Sequence, residues 1–436
     1  MKLLQVVPAW VAVAAVAIDA LKILLPTNRP LMPPRLPPHF PAHLPTGLPA
    51  QLASKTEPVQ LTQSTLSTAL LSAALILPGI RIASAEPMPE HALISLKYLK
   101  YQDSQPGLTR ISVDAPSVSV LAPIAGEWSL EGTLTSDAVS GASPRYHTAI
   151  SGASKMNDQR NAGDVTVTKY FPRGSLAMGV AYSTEHDYVS RAVSMLGDFS
   201  GEDKNTTWSL GFGVSKDKIN PVNQIVVDEK KTTVNLLLGL TQILSTQDIG
   251  QFTLTYARGD GYFSDPYKTL DNRPRTRNQS TALVRWNHHF SGTEGTSRLS
   301  YRYYTDTYHI KAHTFTGEYL DRLGHGWTIV PSFRLYTQNA ASFYFDPVYD
   351  KDYGAPFPPG YIFGGNQYLS ADQRLSGFGA VTLGIKLIKQ ITPDWTADIK
   401  LETYEQRSNW QFFDKRGLAL DPLRARSVQV GITRKW

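Results

Sequence analysis

The final ten residues, SVQVGITRKW, constrain this chain more than any other stretch. Read with a period of two, Val428, Val430, Ile432 and Trp436 share one face, and Ser427, Gln429, Gly431, Thr433 and Lys435 share the other. Successive side chains of a strand point to opposite sides, so this is a strand with one apolar and one wet surface. The alternation recurs from His91 onward. Trp208, Leu210, Phe212 and Val214 are backed by Ser209, Gly211, Gly213 and Ser215, and Leu176, Met178, Val180 and Tyr182 by Ser175, Ala177, Gly179 and Ala181. Phe252, Leu254 and Tyr256 are backed by Gln251, Thr253 and Thr255.

In a soluble sandwich the apolar face would be the inside; in a membrane barrel it is the outside. Three features favour the barrel. Short connections (PRG at 172–174, GEDKN at 201–205, SGTEG at 291–295, TPD at 392–394) alternate with generally longer ones, as periplasmic turns alternate with extracellular loops. Trp128, Trp208, Trp327 and Trp395 each follow such a turn and Trp436 ends an inward strand, which places all five at one membrane interface. The polar face carries Glu131, Arg285, Arg298, Arg302, Asp306, Arg334, Asp398, Lys400 and Glu402, which a dry core would not tolerate and a hydrated lumen accepts. Outward strands are expected to begin near 92, 126, 174, 206, 250, 296, 326 and 394, and inward ones near 108, 163, 188, 231, 278, 309, 376 and 424. The expected fold is an all-β, transmembrane, antiparallel up-and-down barrel of about 16 strands (roughly 14 to 18), with short periplasmic turns and long extracellular loops.

Composition narrows the alternatives. With 436 residues, 42% apolar content and negative mean hydropathy, the chain suits one large domain and excludes a helical membrane protein. After residue 86 no apolar run approaches the roughly 20 residues a spanning helix needs. Cysteine is absent, which removes disulfides, thiolate metal sites and lipid-attachment cysteines. The net charge of +6 comes from Lys and Arg scattered among strands and loops, so no nucleic-acid partner is expected.

Three regions follow. Residues 61–85 contain an apolar core from Ala69 to Leu77 and then Ala83-Ser84-Ala85, which reads as a secretory signal cleaved after Ala85. Residues 86–436 are the barrel. Residues 1–60 hold an apolar segment from Ala9 to Ile18 and then nine prolines up to Pro49. They read as an unstructured extension or a misplaced start, or else as an anchor with a stiff spacer; Asp19 and Lys22 interrupt the apolar segment before it could span.

The segments YQDSQPG, SDAVSGASPRYH, YSTEHDYVSR, WNHHF, SYRYYTDTY, YFDPVYD and GAPFPPGY, spread over residues 91–436, resemble a family of bacterial proteins known as a domain of unknown function. The resemblance implies an outer-membrane barrel of a Gram-negative bacterium, in contact with outer-membrane lipid, lipopolysaccharide and the barrel-insertion machinery. It also implies a link to extracytoplasmic redox work, through neighbouring flavin-transferase and thioredoxin-like genes. Gly431, Ile432 and Trp436 match the C-terminal insertion signal of such barrels, whereas Arg434 occupies a position usually apolar or aromatic. A long Arg can snorkel at the rim.

Few constellations suggest chemistry. His288 and His289 are adjacent on a strand, point to opposite faces and read as rim residues rather than metal ligands. No G-x-S-x-G segment is present, and no catalytic residue, cofactor or metal is expected. The loops YFSDPYK (262–268) and YFDPVYDK (344–351) share an aromatic, Asp-Pro, Tyr arrangement. Tyr344, Phe345, Asp346, Tyr349, Asp350 and Asp352 form a candidate extracellular recognition patch for sugars, cations or amphipathic ligands, against the alternative of a rigid self-packed loop. The loop from about 338 to 375 is expected to narrow or lid the lumen, since its apolar clusters need a wall to pack on. The functional expectation is a porin-like pore for a small polar solute. A non-conducting scaffold or binding barrel for a periplasmic or surface partner is the alternative, and an outer-membrane hydrolase stands third.

Overall fold

The computed structural model describes residues 88–142, 155–268, 270–346, 361–362, 365–412, 416–417 and 420–436. Ala83, Ala85, the Pro-rich extension, Tyr349, Asp350 and Asp352 lie outside these residues.

The barrel begins with β1 (Leu93–Gln105), β2 (Leu108–Ile124), β3 (Trp128–Ala142) and β4 (Lys155–Phe171). It continues with β5 (Gly174–Thr184), β6 (Tyr188–Ser200), β7 (Thr206–Ile219), β8 (Glu229–Ile243) and β9 (Asp248–Gly261). The short β10 (Asp271–Asn272) precedes β11 (Thr276–Phe290), β12 (Gly295–Asp306), β13 (Lys311–Gly324) and β14 (Trp327–Gln338). A second short strand, β15 (Leu369–Ser370), precedes β16 (Phe378–Gln390), β17 (Trp395–Arg407) and β18 (Leu423–Lys435). Leaving out β10 and β15, which pair only with each other, the strands form one closed antiparallel ring of 16. The ring shuts where β1 meets β18, from Leu93 opposite Lys435 to Ser104 opposite Arg424. Closure leaves no unpaired edge, the condition for strands to cross a bilayer.

Fifteen of the sixteen expected strand starts fall within about two residues of the observed ones, because alternation marks the membrane-facing part of each strand. The exception is β4, which begins at Lys155 and not near 163. Its first turns pair with the end of β3, Ala142 opposite Lys155, where ladder hydrogen bonds extend the hairpin beyond the apolar alternation.

The outer face is apolar around the ring. Met178, Leu210 and Leu383 each keep more than half of their surface exposed, as do Phe171 and Phe199, and similar residues face outward on β1, β8, β11 and β18. A soluble monomer does not expose an apolar surface of this extent; a bilayer covers it. Trp128, Trp208, Trp286, Trp327, Trp395 and Trp436 are all exposed beside the short-turn end of the barrel. Lys169 lies over the Trp128 ring at 4.9 Å, Lys389 over Trp327 at 4.9 Å and Arg434 over Trp395 at 5.5 Å. The outward Arg434 therefore has an indole to lie on, directly opposite it in the β17–β18 ladder.

The chain end completes the seam. Ala92 N donates to Trp436 O at 3.1 Å, and Trp436 N donates to Ala92 O at 3.1 Å. Deleting Trp436 removes this reciprocal pair together with an interfacial indole. The fraction of folded barrel recovered is expected to fall severalfold, read as loss of the fast-migrating unboiled species on a gel. Unchanged recovery would mean that the seam closes without this residue.

Candidate functional site

Alternation fixes which charges face the lumen. On β17, Ile399 and Leu401 are exposed to the outside, so Asp398, Lys400 and Glu402 point inward. They are mutually neutralised: Lys400 Nζ lies 2.8 Å from Glu402 Oε1, and Lys386 Nζ lies 3.6 Å from Asp398 Oδ2. Arg298 is 4.0 Å from Glu318. Asp306 is a structural knot at the β12–β13 turn. Its carboxylate accepts from Arg277 Nη2 at 2.6 Å, from Tyr304 Oη at 2.8 Å and from the backbone N–H groups of Tyr308 and Ile310 at 3.0 and 2.9 Å.

The remaining charges separate by wall. Arg285, Arg302 and Arg334 stand on β11, β12 and β14. Glu131, Asp164 and Asp198 stand on β3, β4 and β6. Counted around the ring, β3 is eight strands from β12 in either direction, and β4 is eight from β13. A basic wall therefore faces an acidic one. Asp164 and Arg302 line the same cavity of 680 Å³ inside the barrel.

Described residues of two loops line this cavity at the end opposite the tryptophans, among them Asp265, Arg273 and Arg374. Residues 262–275 follow β9, and residues 339–377 follow β14. They join through the β10–β15 pair, Asp271 opposite Ser370 and Asn272 opposite Leu369. A 3-10 turn, Gln373–Leu375, follows and is capped by Asp372, whose side chain accepts from the backbone N–H of Arg374. Beneath it lies an apolar cluster of Tyr308, Ile310, Ala340, Ala341, Tyr344 and Leu375.

The cap is cross-linked by ion pairs. Arg273 binds Asp271 with Nε and Nη2 at 2.7 and 2.5 Å and reaches Asp372 with Nη2 at 2.6 Å. Arg374 Nε lies 2.9 and 2.8 Å from the two Asp372 oxygens, and its Nη2 donates to Asp265 at 3.0 Å. Lys268 Nζ is 3.9 Å from Asp372. Asp265, Asp271 and Asp372 thus offset Lys268, Arg273 and Arg374, and the Asp372 side chain is fully buried. Burial alone would raise the Asp372 pKa, but Arg374, Lys268 and Arg273 together hold it well below the usual carboxylate range. Burial lowers the pKa of the Lys268 ammonium, against the opposing pull of Asp372 and Asp265. The cap is also tied to the wall, since Gln338 Nε2 donates to Ser376 O at 2.7 Å and Tyr308 Oη to Pro274 O at 2.9 Å.

Of the loop residues singled out in the sequence, Tyr344 is 4% exposed and its hydroxyl donates to Asp346 Oδ1 at 3.0 Å. The other Asp346 oxygen accepts from Gly417 N at 2.9 Å, and Phe345 N donates to Ser370 O at 3.1 Å. These three residues hold the cap together internally. Among the carboxylates brought to the lumen mouth, Asp265, Asp271 and Asp372 form a group that sequence reasoning missed. Of the three, only Asp265 lies in a segment that the sequence singles out, YFSDPYK, and Asp372 is about 100 residues further along the chain.

His288 and His289 diverge as adjacent strand residues must. His288 Nδ1 lies 2.7 Å from Asp248 Oδ1 beside Phe290, and His289 Nδ1 lies 3.3 Å from Thr296 Oγ1. Among the described residues no group of His, Asp and Glu is arranged to hold a metal ion.

A comparison with solved structures returns other large barrels at low identity. A bacterial polysaccharide outer membrane secretin is 11% identical, with 79% of this chain and 98% of that one covered and a TM-score of 0.44. The CymD monoaromatic hydrocarbon channel is 8% identical, with 82% and 93% covered and a TM-score of 0.40. The outer membrane protein opdK from Pseudomonas aeruginosa is 10% identical, with 79% and 99% covered and a TM-score of 0.39. A comparison with curated proteins finds no match. The family described as a protein of unknown function (DUF3570) matches residues 147–228 and 223–422, and the chain belongs to it.

Proposed function

We propose that the protein is an outer-membrane channel of a Gram-negative bacterium, passing small polar solutes through a hydrated lumen with a transverse electric field. The observation that carries this reading is that Asp164 and Arg302, seven strands apart in the ring of 16, line one and the same 680 Å³ cavity. Opposed charges across a narrow aqueous passage orient dipolar solutes and select by charge and size. In this reading the signal directs export, the mature chain begins at Glu86, the insertion machinery reads Gly431, Ile432 and Trp436, and lipid with lipopolysaccharide covers the apolar belt.

Planar-bilayer recording of the refolded protein tests it. Discrete single-channel steps are expected, and their absence at every voltage would refute conduction. One observation favours a second reading. The ion cluster of the cap pairs Asp265, Asp271 and Asp372 with Lys268, Arg273 and Arg374 and buries the Arg273 and Asp372 side chains, as suits a non-conducting barrel that binds a periplasmic or surface partner, including a redox partner. That reading predicts a co-purifying protein and no current.

A further inference from the structure

Four described arginines of the cap and mouth are ion-paired: Arg273, Arg374, Arg275 to Glu229 and Arg277 to Asp306. Arg302 and Arg334 are different. Among the described residues neither forms an ion pair, although both are on the lumen face of adjoining hairpins. Arg302 Nη2 donates only to Thr314 Oγ1, at 3.3 Å. Thr314 stands between Arg302 and Tyr336 in the β12–β13–β14 register, and the Arg334 guanidinium lies over the Tyr336 ring at 5.8 Å. Two guanidiniums therefore share one patch of wall without an anion between them.

The neighbouring tyrosines cannot supply that anion. Tyr336 Oη donates to Gln338 at 2.5 Å, and Tyr304 Oη donates to Asp306 at 2.8 Å. Their hydroxyls are committed, so they offer ring surface to the lumen. Arg302, Tyr304 and Tyr336 all line the cavity, whose 680 Å³ accommodates a small organic molecule with water around it.

We propose that Arg302 and Arg334, flanked by the rings of Tyr304 and Tyr336, form a binding subsite for a small monocarboxylate with a flat apolar body. This assignment deepens the channel reading and rests on it. A planar guanidinium fork matches a carboxylate with two parallel charge-assisted hydrogen bonds, and the ring faces cover the apolar part. The acidic wall sets the charge of the ligand. Glu131 and Asp164 stand eight and seven strands around the ring from Arg302, so each additional negative charge is repelled from a site where one is welcome.

The test pairs binding with conduction on the same refolded full-length protein. Benzoate, acetate and inorganic phosphate are titrated calorimetrically, and the reversal potential is recorded across a KCl gradient. Benzoate is expected to bind more tightly than acetate or phosphate. The double variant Arg302→Gln/Arg334→Gln is expected to weaken benzoate at least tenfold and to move the reversal potential toward cation selectivity. Arg302→Lys, which keeps the charge and loses the fork, is expected to fall between, and unboiled gel migration checks that each variant is folded. Phosphate binding tighter than benzoate, or benzoate binding unchanged in the double variant, overturns the subsite. Benzoate binding lost in the double variant without current in any protein upholds the subsite and refutes conduction, while current without benzoate binding does the reverse.

Discussion

Asp372→Ala is expected to unlatch the extracellular cap and raise conductance while the barrel itself still assembles. The carboxylate is fully buried and is shared by Arg273, Arg374 and Lys268. Removing one member of a buried ionic group strands its partners without compensation, at a cost of about 3 to 5 kcal/mol. The lower end applies here, because Arg273 keeps Asp271 and Arg374 keeps Asp265. A loss of about 3 kcal/mol shifts the closed-to-open ratio of the cap by a factor on the order of 100. Faster amide exchange in residues 262–275 and 365–377, together with larger single-channel steps, would be the result. Exchange and conductance both equal to wild type would show that the ion cluster does not hold the cap.

The same latch has a defined acid limit. The folded-state pKa of Asp372 is depressed, so its contribution is present above the ordinary aspartate value and is lost only as pH falls through the depressed one. Between pH 7 and about 5 Asp372 is therefore expected to stay ionised and to keep its pairs with Arg273 and Arg374, read as unchanged amide exchange in residues 365–377 across that range.

Val430→Arg is the second large effect, and Gln429→Lys is its control. Val430 is 44% exposed on the lipid face, opposite Tyr98 on one side and Ile399 on the other. A charge placed there near the midplane costs about 2 to 4 kcal/mol. Gln429 faces the lumen between Leu99 and Lys400, and the charge of Lys400 is already answered by Glu402. A lysine there stays hydrated and should change stability by less than about 0.5 kcal/mol. Urea unfolding of the two variants in lipid vesicles measures the difference. Equal losses at both positions would mean that lumen and lipid faces are wrongly assigned.

The barrel was legible in the sequence because its information is local. A strand that separates water from lipid must alternate residue by residue, so Val428, Val430 and Ile432, or Leu210 and Phe212, declare their strand, its phase and its outer face within a few positions. The same alternation placed Lys400 and Arg302 on the wet face. It could not say which wet charges would meet. Asp306 reads as a lumen charge in its strand, yet the fold turns it into the anchor of a hairpin bend, held by Arg277 from the preceding strand.

The sequence by itself thus determined the phase of the strands and the hydrated interior, and bounded their number to about 14 to 18, since each follows from the period-two pattern and the turns between; closure of the ring fixes the number at 16. Only the tertiary structure decided what fills the mouth and how the charges are distributed. Asp271 and Arg273 come from one loop and Asp372 and Arg374 from another about 100 residues later, and no local pattern relates them. Closing the ring fixes the facing of β3 with β12, and with it the opposition of Glu131 and Asp164 to Arg302 and Arg334. Neighbours along a strand are set by chain geometry; partners across a lumen are set by closure, which is a property of the whole ring.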